Sequence, residues 1–168
     1  MGTKFIKEWA LPMIIAVILA IMIDKFLILK VDVNTSSMKP TINIGEKFLV
    51  TRIYDYENLK RGDIIVFKSN EKDELLLKRL IGLPGDEIDI REEKLYINGK
   101  EIKEDYVKYT DNYVGKFKVP ENKYFFLGDN RKASYDSREW KNPYIDESSI
   151  KGKVQLRLYP LKSFGSLD

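Results

Sequence analysis

Fifteen consecutive residues, Trp9 to Ile23 (WALPMIIAVILAIMI), carry no charge. A helix built from them has no polar face, so it must be covered by apolar surroundings on every side. At about 1.5 Å per residue the run reaches roughly 22 Å, short of a hydrocarbon core of about 30 Å. Apolar character resumes at Phe26–Leu29 after Asp24-Lys25. A tilted span from about Phe5 to Lys25 therefore works, with Asp24 and Lys25 at the outer interface and Lys25 snorkelling. Pro12 falls in the first turns, where it removes few helical bonds. Two other readings stand beside a membrane anchor. A cleaved leader would fit Lys4 and Lys7 as a positive head, but Ile21, Met22 and Ile23 are too bulky for a cleavage site. A buried core helix is less natural at the head of a chain this small. An uncleaved, single-pass anchor is the expectation, with residues 1–28 as N-terminus and span. Lys4 and Lys7 favour a cytoplasmic N-terminus, which leaves residues 29–168 outside the cell membrane.

The chain has 168 residues, room for one domain with a packed core behind the span. It contains no cysteine and no histidine. Those two absences exclude disulfides, thiol nucleophiles, Ser-His-Asp chemistry and the common zinc ligand sets. A general base near neutral pH must be Lys, Asp, Glu or Tyr. The net charge of +3 is spread along the chain, so no nucleic-acid partner is expected. No metal and no cofactor are expected.

After Leu29 the pattern is of short β-type runs between turn signals. Phe26–Val33 reads as continuing into an extended segment. Lys47–Ile53, Asp63–Lys68 after an Arg-Gly turn, Leu75–Ile81, Glu87–Ile90, Lys94–Ile97, Lys100–Ile102, Lys123–Leu127 and Lys153–Tyr159 follow. Asn98-Gly99 is a two-residue hairpin signal. The expected fold class is mainly β, an antiparallel sheet domain behind one N-terminal helix.

Three stretches carry candidate chemistry. Thr35-Ser36-Ser37-Met38-Lys39-Pro40-Thr41 places a serine ahead of a proline-stiffened turn. On local sequence it reads more readily as a Ser/Thr-rich loop capping its own backbone. In Leu75–Ile81, a strand puts Lys78 on one face with Leu76 and Leu80. An amine there is poorly solvated, which lowers its pKa and lets the neutral form accept a proton. An edge position, with Lys78 snorkelling out, is the competing reading. Arg79 stays protonated and suits pairing with a carboxylate. Gly128–Arg138 (GDNRKASYDSR) is a polar loop in which Asp136 and Arg138 are placed to pair.

Together these stretches have an order. Ser37-Met38-x-Pro40-Thr41, Arg61-Gly62-Asp63-Ile64-Ile65-Val66-Phe67, Lys78-Arg79-x-Ile81-Gly82-x-Pro84-Gly85-Asp86 and Gly128–Arg138, behind an apolar head, resemble the type I signal peptidase family. The compact spacing resembles its small, single-span members.

The resemblance implies a membrane-bound serine endopeptidase that removes signal peptides from exported preproteins, its partners, cleaving after small residues at −1 and −3. It implies Ser37 as nucleophile and Lys78 as base. Thr35 stands where the family commonly has serine or glycine as a second oxyanion donor beside the Ser37 N–H. Ser134 resembles the serine that hydrogen-bonds the lysine amine. Asp136 resembles the carboxylate pairing with Arg79 and Arg138, and Asp129 joins that network. The substrate would lie extended between Asp32–Thr35 and Glu74–Leu77, with Val33, Met38, Ile42 and Leu77 as pocket walls or as ordinary core. After Asp136-Ser137-Arg138 the sequence departs from the family pattern. Trp140 and Tyr144 there would meet the lipid interface or pack onto the domain. A tethered β domain that binds exported chains without cutting them is the alternative.

Overall fold

The computed structural model describes residues 2–69 and 71–167, and side chains from Trp9 onward. Lys4 and Lys7, on which the orientation reading rests, lie outside the described side chains. Helix α1 spans Gly2–Met22, and helical winding continues as a wider π turn over Ile23–Leu27. Every side chain from Leu11 to Leu27 is exposed, so the protein itself covers none of this apolar surface. Phe26 and Leu27 were expected to be extended. They stay helical, and the strand begins two residues later than Phe26, at Ile28.

Strands β1 (Ile28–Asp32), β2 (Lys47–Arg52), β3 (Ile64–Lys68), β4 (Leu75–Gly82), β5 (Glu87–Arg91), β6 (Lys94–Ile97), β7 (Lys100–Ile102), β8 (Gly115–Lys118), β9 (Lys123–Leu127), β10 (Ile145–Asp146) and β11 (Ile150–Tyr159) form two antiparallel sheets. The larger has the order β1-β2-β11-β3-β4-β9-β10, and the smaller β7-β6-β5-β8. The long β11 returns from the C-terminal end to pair with both β2 and β3, so it closes the middle of the larger sheet. Asn98 and Gly99 both have positive φ, as the tight turn between β6 and β7 requires.

Three apolar clusters follow from the alternation of side chains. Ile65, Phe67, Leu80, Phe126 and Trp140 form the first. Phe67 stacks on Phe126 at 4.4 Å, and Trp140 meets Phe67 edge-on at 6.0 Å. Trp140 is therefore core rather than interface, and Tyr144 packs half-buried against the third cluster. Val33, Met38, Ile42, Phe48, Val50, Ile64 and Val66 form the second. The third, around Ile81, Ile88, Leu95, Phe125 and Leu127, joins the two sheets.

Candidate active site

Ser37 lies in the turn that follows β1, and its position is set by anchors on both sides. Met38 is sunk into the second cluster at 2% exposure. The Ser37 carbonyl accepts the Asn130 N–H at 2.9 Å, and the Ser36 carbonyl accepts Asn130 Nδ2 at 3.2 Å. The loop after β9 thus pins the turn to the end of the larger sheet. Gly128 allows the close approach. A Cβ there would lie 2.5 Å from the Ser37 carbonyl oxygen and closer still to the Ser134 hydroxyl.

Lys78 sits in β4 opposite Ile65 of β3. Its neighbours on the same face, Leu76 and Leu80, pack with the first cluster, as the strand pattern predicts. The side chain is buried rather than snorkelling, at 4% exposure. Its Nζ donates to Ser37 Oγ at 2.6 Å. Burial pulls the amine down from 10.5 to about 8. Asp136 and Asp129 pull it back up, and Lys72 and Arg138 push it further down. Lys78 thus holds a neutral amine at mildly alkaline pH. In that form the contact reverses, and the serine O–H donates to the nitrogen lone pair. Thr35 Oγ1 is 3.4 Å from the same Ser37 Oγ.

Around this pair the charges sit in ion pairs, with Arg138 shared between Asp136 and Asp111. Arg79 Nε and Nη2 donate to the two oxygens of Asp129 at 2.8 and 2.7 Å, and Thr41 Oγ1 also donates to Asp129. Arg138 Nε and Nη2 take the two oxygens of Asp136 at 2.8 and 3.0 Å. Asp136 also accepts the Gly128 N–H.

Arg79 was expected to share Asp136. It pairs with Asp129 instead, because Arg79 lies opposite Leu127 on β9, and Asp129 is two residues beyond. Arg138, a near neighbour in sequence, takes Asp136. Ser134 was expected to bond the Lys78 amine. Its hydroxyl is buried against Gly128 without a hydrogen-bond partner among the described residues.

A cleft of about 210 Å³ opens between residues 31–35 and 74–78, with Lys78 in its lining. Val33 and Leu77 line it. Met38 and Ile42 do not. At 2% and 0% exposure they are core beneath it, because they anchor the Ser37 turn. Sequence reasoning did not single out Asn130 as a support, although it lies in the polar run after β9. It missed Thr41, Glu104, Tyr106 and Arg131 as parts of the surrounding charge network, and the loop bearing Glu104 and Tyr106 carries no local signal.

Comparison with known proteins identifies the family. The family model described as signal peptidase, peptidase S26, matches residues 6–159. Signal peptidase I of Bacillus licheniformis is 40% identical over 174 residues, covering 96% of this chain and 92% of the relative. Signal peptidase IB of Staphylococcus aureus (strain COL) is 34% identical, covering 96% and 93%. The crystal structure of a signal peptidase I from Enterococcus faecalis V583 superposes with a TM-score of 0.51 at 37% identity, covering 57% of this chain and 96% of that one. With a sheet domain of the same kind and relatives aligned almost end to end, the chain belongs to the signal peptidase family, peptidase S26.

Proposed function

We propose that this chain is a membrane-tethered signal peptidase that cuts exported preproteins with Ser37 as nucleophile and Lys78 as general base. The observation that carries the proposal is the buried amine of Lys78 2.6 Å from Ser37 Oγ, with its pKa pulled down to about 8. Neutral Lys78 takes the hydroxyl proton as Ser37 Oγ attacks the scissile carbonyl carbon. The oxyanion gathers donors from the Ser37 N–H and the Thr35 hydroxyl. Lys78 then returns the proton to the leaving amine as the peptide bond breaks, leaving an ester on Ser37. Water attacks the ester, Lys78 accepts its proton and passes it to the departing Ser37 Oγ, and the acid product leaves with the serine hydroxyl and the neutral amine restored.

The preprotein lies extended in the cleft between residues 31–35 and 74–78, where main-chain bonding to strand edges holds it. Val33 and Leu77 wall off space suited to small residues at −1 and −3. The exposed apolar helix from Trp9 to Leu27 crosses the bilayer, with the N-terminus on the cytoplasmic side and residues 29–168 outside. Asp24 and Lys25 lie in its last turns, at the outer interface.

The test is cleavage, in detergent or lipid, of a preprotein carrying an Ala-x-Ala site, with the product mass measured. Wild type is expected to cut after the −1 residue. Ser37→Ala and Lys78→Ala are expected to leave the substrate intact, and normal cutting by either variant sinks the assignment.

A further inference from the structure

One irregular stretch, residues 103–114 between β7 and β8, grips the supports of both Ser37 and Lys78. Arg79, next to Lys78 in β4, has its guanidinium 3.9 Å from the centre of the Tyr106 ring while its edge is bound to Asp129. The Tyr106 hydroxyl donates to Glu104 Oε1. Burial and the Glu104 carboxylate keep that phenol protonated far above its ordinary range, so it remains a donor. Glu104 receives both terminal nitrogens of Arg131 at 2.9 and 2.7 Å. Arg131 Nε in turn donates to the Gly128 carbonyl at 3.0 Å. Gly128 leads into Asn130, which holds the Ser36 and Ser37 carbonyls.

Apolar residues of similar volume stabilise a fold as well as buried ion pairs do, so stability is a weak reason for this arrangement. What planar, two-pronged pairs add is direction. Arg79 and Arg131 each bond through Nε and both terminal nitrogens at once, which ties each guanidinium to one orientation.

We propose that Tyr106 and Glu104 are positioning residues that fix the separation of Ser37 and Lys78 by bracing Arg79 and Arg131, while touching neither reacting group. The inference rests on the Ser37–Lys78 reading above.

Its test is kcat and KM against pH for full-length Tyr106→Leu, Tyr106→Phe and Glu104→Gln on one preprotein in detergent. Tyr106→Leu and Glu104→Gln are expected to lower kcat about tenfold or more, as loss of near-attack geometry does. KM is expected to stay within about twofold, because neither residue lines the cleft. The charged groups acting on Lys78 (Asp136, Lys72, Arg138 and Asp129) are unchanged in all three variants. A loosened site admits water to the amine, so the acid side of the kcat profile is expected to move to higher pH. Tyr106→Phe keeps the ring on Arg79 and is expected to fall between wild type and Tyr106→Leu.

Wild-type kinetics in both Tyr106→Leu and Glu104→Gln overturns the brace. So does a loss of kcat with the acid side unmoved, or a loss matched by an equal rise in KM. If Tyr106→Leu does not fold, the nearly isosteric Glu104→Gln carries the same comparison. Turnover by Ser37→Ala refutes the underlying Ser–Lys reading instead. An inert Ser37→Ala beside wild-type brace variants refutes the brace alone.

Discussion

Lys78 Nζ lies 2.6 Å from Ser37 Oγ across 41 positions of sequence, and both side chains belong to buried residues. Lys78 lines the cleft and sits between Leu76 and Leu80 of an apolar cluster, where an ammonium is poorly tolerated. Cleavage is expected to rise with pH through about 8, the value to which burial pulls the amine. The check is kcat/KM from about pH 6 to about pH 10 in detergent. A midpoint near the ordinary lysine value would contradict proton acceptance by a desolvated Lys78.

The same burial predicts a stability effect of definite sign. The unfolded chain holds the Lys78 proton up to 10.5, the folded one only to about 8. Between those values the unfolded state binds more protons, so stability rises with pH across that window, and the penalty is complete below it. Lys78→Met is expected to be inactive yet more stable at neutral pH, by on the order of 3 kcal/mol. Denaturant unfolding measures this, and the gain should shrink as the pH approaches 10.5. A variant less stable than wild type at pH 7 contradicts the prediction.

Gly128→Ala tests the packing beneath the serine. The added methyl meets the Ser37 carbonyl oxygen and the Ser134 side chain inside van der Waals contact. Overpacking of this kind costs about 1–3 kcal/mol. Here it also displaces the turn that carries Ser37. Activity is expected to fall about 100-fold or more, the scale of a roughly 1 Å misplacement. Retention of most activity would show that the turn has more freedom than these contacts allow.

The pairing of charges is checked by double-mutant cycles on stability. Arg79 and Asp129 share two hydrogen bonds and should couple strongly, whereas Arg79 and Asp136 should be close to additive. Asp129→Ala alone leaves a largely buried guanidinium unmatched and is expected to cost about 3–5 kcal/mol. Equal coupling of Arg79 to both aspartates would point to a shared site.

The parts of this structure visible in the sequence are those governed by local rules. Alternation in Leu75–Ile81 put Lys78 among leucines, and Asn98-Gly99 marked its turn because both positions need positive φ. Strand β8 was missed because Gly115-Lys116-Phe117-Lys118 is short and half charged, and it is a strand only through pairing with β5. The turn at Glu92-Glu93 also has positive φ at both residues, but glutamate gives no signal of it. The choice of Asp129 over Asp136 for Arg79 depends on the register of β4 against β9, which no local pattern states. Glu104 and Tyr106 stayed invisible for the same reason. Their roles exist only once a loop of the smaller sheet is folded against the larger one.

α1 passes through the Ile23–Leu27 turn into β1 with no intervening residue, and the Tyr54 hydroxyl fastens that junction to the Phe26 carbonyl at 2.7 Å. β1 adds about 17 Å at roughly 3.3 Å per residue before the turn that holds Ser37. For a domain mounted on a bilayer by α1, this stem is a gauge. No loop separates the helix from the strand, so the stem sets how far the Ser37 turn stands from the end of the helix. Under the proposed function, the distance from a substrate's own greasy segment to its point of scission becomes a dimension of the stem rather than a preference of the pocket.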